Sequence, residues 1–65
     1  MRKVFIRETK LEMPQRMIVE TGNWLGPYLF HEWGSFSGNS MAILENMETG
    51  ECMMAPPGQM KFEAE

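Results

Sequence analysis

Apolar and polar side chains alternate with a period of two in short runs along this chain, and glycine, proline and small polar residues separate the runs. A period of two places successive side chains on opposite faces of an extended strand, so the pattern predicts β-structure. The first run, Arg2-Lys3-Val4-Phe5-Ile6-Arg7, puts Val4 and Ile6 on one face and Lys3, Phe5 and Arg7 on the other. Glu8 to Pro14 is polar and ends in a residue without a backbone donor, which predicts a loop. Met17-Ile18-Val19, within Gln15 to Glu20, has the β-branched character of a second strand. Thr21-Gly22-Asn23 and Gly26-Pro27 punctuate the next segment, with Trp24 and Leu25 as an apolar island expected in a turn.

Tyr28-Leu29-Phe30-His31-Glu32-Trp33 is an aromatic-rich third strand. Strict alternation sets Tyr28, Phe30 and Glu32 against Leu29, His31 and Trp33. Bulk on both faces suggests that one is covered by the core and the other by a partner. Gly34 to Ser40 reads as a flexible loop with Phe36 its one large residue. Met41 to Glu45 and Glu51 to Met54 then form a hairpin, with Gly50 supplying the positive φ of the turn. Cys52 and Met54 share one face of the return strand, and Glu51 and Met53 the other. Ala55-Pro56-Pro57-Gly58 breaks the ladder, and Gln59 to Glu63 closes the chain with Met60 and Phe62 on one face. The expected fold is all-β: a small barrel of about five short antiparallel strands, one domain over residues 1–65.

Residues 28–36, PYLFHEWGSF with the preceding proline, and AILENMETGECMMAPPGQMKF further on together resemble short proteins encoded by bacteriophages and prophages of Gram-positive bacteria. The shared features are an aromatic-His-x-Trp-Gly segment, a strand ending in Glu, a turn with Gly, a proline corner and a final Lys-Phe. The resemblance implies an SH3-like barrel and covers about the last forty residues. Thr49 stands where an acidic residue is usual, and Met53 and Met54 where β-branched residues are expected.

Length imposes a constraint of its own. A chain of 65 residues buries only about 60% of its unfolded surface, so small domains commonly add disulfides, a metal or oligomerisation. Cys52 is the sole cysteine, which excludes an internal disulfide, and Cys52 with His31 cannot supply the four ligands of a structural zinc. Homo-oligomerisation is the remaining expectation. One free cysteine and eight methionines suit a reducing, cytoplasmic setting. Neither a membrane-spanning run nor the apolar core of a signal peptide is found, so no membrane association is expected.

The net charge of −3 is unevenly placed. Through Arg16, five basic residues face two glutamates; from Met17 onward Lys61 alone faces seven. This balance argues against duplex DNA, which calls for a basic footprint. The basic first strand suits either a phosphate-bearing or acidic ligand, or an edge strand guarded against aggregation by Lys and Arg.

No reaction centre emerges, and no enzyme is expected. Cys52 with His31 as base would need an orienting group and an oxyanion hole that nothing in the spacing implies. Glu45, Glu48 and Glu51 surround a turn, which is normally solvated, and phosphate-cradling glycine patterns are absent. No catalytic residue, metal site or cofactor is therefore assigned. Recognition is better supported. Trp24, Tyr28, Phe30, Trp33 and Phe36 lie within thirteen residues and cannot all fit so small a core. Phe30 and Phe36 suit an oligomer interface as well as a ligand site, whereas Trp24, His31 and Trp33 favour a binding surface. Arg7 adds a phosphate contact and Met53 an exposed, adaptable one. The candidate binding set is thus Arg7, Trp24, Tyr28, His31, Trp33, Phe36 and Met53.

The leading functional expectation is a phage-type binder of a host protein, interfering with a process such as antiviral defence. An oligomeric sponge for a nucleotide signal, with rings stacking the base and Arg2, Arg7 or Arg16 meeting phosphates, is the alternative. Single-stranded nucleic-acid binding and a structural role in the virion complete the set.

Overall fold

The computed structural model describes residues 1–64, and its elements are β1 (Lys3–Glu12), β2 (Met17–Phe36), β3 (Asn39–Asn46), β4 (Cys52–Ala55) and β5 (Met60–Phe62), with a 3-10 turn at Pro57–Gln59. All pairings are antiparallel, in one sheet of order β4-β3-β2-β1-β5. The first four strands meander, and β5 returns beside β1 through the pairs Val4↔Phe62, Phe5↔Lys61 and Ile6↔Met60. Among the described residues the two edges, β4 and β5, share no ladder, so the expected barrel is seen as one mostly open sheet.

β2 shapes the molecule. Its 20 residues would span roughly 66 Å if straight, yet the longest dimension of the protein is 40 Å. The strand must bend, and its ladders show register shifts opposite Val4/Ile6, opposite Arg7/Thr9, and between Phe30 and Glu32. Thr21-Gly22-Asn23 and Gly26-Pro27, expected to interrupt the chain, are instead bulges within one strand. Extra residues in a bulge bend a strand without ending it. Gly26 has φ +134°, and a Cβ there would lie 2.9 Å from the carbonyl oxygen of Val4. At the other bulge a Glu8 carboxylate oxygen accepts from Thr21 Oγ1 at 2.7 Å and from Asn23 Nδ2 at 3.5 Å.

The segment from Glu8 that reads as a loop is strand as far as Glu12. Thr9 to Glu12 pair with Met17 to Glu20, so β1 and β2 continue as a two-stranded arm. Ladder hydrogen bonds form whatever the side-chain polarity, which hid the strand from the pattern. Nor is β1 an edge along its first half, where it lies between β2 and β5. Gly34 to Ser40 is likewise mostly strand. Ser37 and Gly38 alone make the turn, with φ of 50° and 81°, the left-handed pair that a two-residue hairpin demands.

The β3–β4 turn follows expectation at Gly50, φ 76°. Asn46, not foreseen, fastens it: its Oδ1 accepts from the N–H groups of Glu48 (2.8 Å) and Thr49 (3.1 Å). Ala55, expected in the proline break, belongs to β4 and pairs with Ala42. Val4, Ala42 and Leu44 are fully buried and Ala55 nearly so, with Ile6, Tyr28, Phe30, Met60 and Phe62 packed around them. Val4 with Ile6, and Met60 with Phe62, share the inward face as alternation required.

Candidate functional site

Directly opposed residues of an antiparallel pair project to the same face, and this divides the seven candidate residues into two groups. Trp33 is opposite Ala42 and Met53 opposite Leu44; both partners are fully buried, so Trp33 and Met53 lie on the inward face. Tyr28 packs against the core from that same side. Arg7 follows the inward Ile6 and is opposite Trp24, which places both outward. Phe36, three positions beyond Trp33, is outward and 57% exposed. His31 is outward too, since its Nε2 meets Oε1 of Glu45 at 2.7 Å and Glu45 alternates with buried Leu44.

One of these placements corrects the alternation. Trp33 was expected across the strand from Phe30, but the register shift at His31 adds one residue and turns Trp33 inward. The rings of Phe30 and Trp33 stand edge to face, 5.3 Å apart at 63°, and Phe30 and Phe62 repeat the arrangement at 5.3 Å and 76°. The Arg2 guanidinium carbon sits 3.8 Å from the Phe62 ring centre and ends the stack. Trp33, the other end, is 49% exposed at the rim of the core. Met53, expected as an exposed contact on the face of Glu51, is 39% exposed at the edge of the core side.

The outward cluster centres on Trp24. Arg7 lies over its ring at 4.8 Å and Lys61 at 4.3 Å, while Arg7 also meets Glu20 at 3.3 Å. Lys61 was missed, because only the return of β5 to β1, opposite Phe5, brings it there. Arg2 and Arg16 do not join this cluster: Arg2 stacks on Phe62, and Arg16 sits in the β1–β2 turn with φ 57°.

The imidazole of His31 is engaged by Glu45, and no hydrogen bond joins it to the exposed Cys52. Among the described residues no three His, Cys, Asp or Glu side chains gather as a metal site. An open hollow of about 480 Å³ lies between Leu25–Tyr28 and Asn46–Glu48, and Glu48 is its one ionisable side chain besides the Tyr28 phenol. No helix among the described residues is long and apolar enough to cross a membrane. Comparison with protein-family models, curated proteins and solved structures gave no match.

Proposed function

We propose that this protein is a non-enzymatic, phage-type binding protein of SH3-like fold that docks on a host protein and interferes with its action. The phage origin and the SH3-like assignment rest on the resemblance of the sequence; the return of β5 to β1 behind a 3-10 turn supports the fold. The observation that carries the binding role is the half-exposed Trp33 held edge-on by Phe30, itself held by Phe62. A large ring at a core rim, already fixed in one orientation, loses little entropy on binding and suits a hot-spot residue. Exposed Met53 on the same face adds adaptable contact. The test is capture of host proteins by the wild type and by Trp33→Ala, followed by titration of the purified captured protein. Binding by the wild type that falls at least about tenfold in Trp33→Ala supports the reading; equal binding by both refutes it.

The outward Trp24 cluster favours a second reading, sequestration of a nucleotide signal. An indole flanked by two cations offers stacking and charge-assisted hydrogen bonds to a phosphate. Arg7→Glu then abolishes nucleotide binding in calorimetry while circular dichroism stays unchanged. Unaltered binding removes this reading.

A further inference from the structure

The arm formed by Thr9–Glu12 and Met17–Glu20 leaves the body of the sheet as a two-stranded ribbon, with Leu11 58% and Ile18 73% exposed. Isolated two-stranded ribbons are marginal in water, and β5 covers β1 only from Val4 to Ile6. Among the described residues the outer edge of β1 beyond Arg7 is therefore unpaired. The Arg2 carbonyl accepts from Phe30 of β2 at 2.9 Å, whereas the Lys3 carbonyl accepts from Glu63, beyond β5, at 2.8 Å. By alternation along the strand, odd-numbered residues turn their peptide groups away from β2. Leu11 thus presents its N–H and C=O at the free edge.

We propose that this edge pairs with the same edge of a second copy of the chain, antiparallel and centred on Leu11. Charge selects both the occupant and the register. A two-fold axis at Leu11 sets Lys10 of each copy opposite Glu12 of the other, so both cross-strand pairs are attractive. Axes at Lys10 or Glu12 would oppose like charges, and an axis between residues would set the Leu11 face against the charged one. Lys10 and Glu12 of a single copy already lie 3.5 Å apart on one face, exposed and free to exchange partners. On the opposite face the pair Leu11 and Ile18 meets its symmetry mate, giving one apolar strip across four strands. The contact is isologous and closes as a dimer rather than propagating. It does not depend on the host-binding role, since Trp33 lies on the body and not on the arm.

Sedimentation equilibrium of the full chain, of Lys10→Glu, of Glu12→Lys and of the double exchange tests the proposal. A wild-type dimer weakened roughly tenfold or more by each single exchange, and restored by the double exchange, is expected, because each single change creates two repulsions per dimer. A monomeric wild type overturns it, as does a dimer indifferent to the single exchanges. Should an exchanged variant fail to fold, Leu11→Cys in a Cys52→Ser background gives an independent readout. Directly opposed residues of a hydrogen-bonded pair have Cα atoms about 5.5 Å apart, so capture of the dimer by a short bis-maleimide cross-linker is expected, and failure to cross-link overturns the pairing.

Discussion

Trp33 stands edge-on to Phe30, their ring centres 5.3 Å apart, although three positions along a regular strand would put them on opposite faces. The extra residue at His31 makes the contact, so one backbone irregularity both completes the aromatic stack and lifts a tryptophan to its open end.

The two rings differ in what they support. Phe30→Ala removes the middle of the stack against the core and is expected to cost about 3 kcal/mol. Trp33→Ala removes one edge-to-face contact from a half-exposed site and costs about 1 kcal/mol. Urea denaturation of both variants checks the order; equal losses would show that Trp33 is structural.

Leu44 is fully buried at the centre of a core in which few side chains are. Its replacement by alanine is expected to cost about 3 kcal/mol, much of what a domain of this size possesses. A thermal melt of Leu44→Ala should show loss of the cooperative transition or a midpoint lowered by more than about 10 °C.

Glycines separate by what surrounds them. Gly26→Ala must adopt positive φ with its Cβ against the Val4 carbonyl oxygen and is expected to lose at least about 2 kcal/mol. Gly58 has open space around it, and Gly58→Ala should stay within about 1 kcal/mol of the wild type. A reversed order in chemical denaturation would mean that the Gly26 bulge relaxes freely.

Glu8 fastens the Thr21–Asn23 bulge at the base of the arm. In Glu8→Ala, amide exchange should speed up from Thr9 to Glu20 while the pairs of β3 with β4 keep their protection. Uniform acceleration across the sheet would instead make Glu8 a determinant of global stability.

Much of the strand content was legible because inward positions such as Val4, Ile6, Met60 and Phe62 alternate cleanly, and because Gly50 occupies a turn that needs positive φ. What alternation could not show is where it fails. Gly22, Gly26 and Pro27 have the composition of breaks, and only pairing with β1 reveals them as bends in one long strand. The inward turn of Trp33 comes from the same kind of event at His31, which no side-chain pattern announces. The candidate residues were found by their chemistry, but their division into an inward set with Trp33 and an outward set with Trp24 is a property of register. Lys61 escaped notice because its place beside Trp24 depends on a pairing between the two ends of the described chain.

That last pairing also sets an order of events during folding. The β1–β2, β2–β3 and β3–β4 ladders join neighbours in sequence, whereas Val4 meets Phe62 only by closing nearly the whole described chain into a loop. Until β5 arrives, the edge of β1 is bare from Lys3 to Glu12 and offers another chain a longer template than the finished fold does. Dilution during refolding therefore favours the intramolecular closure, and crowded nascent chains meet their strongest competition at that step.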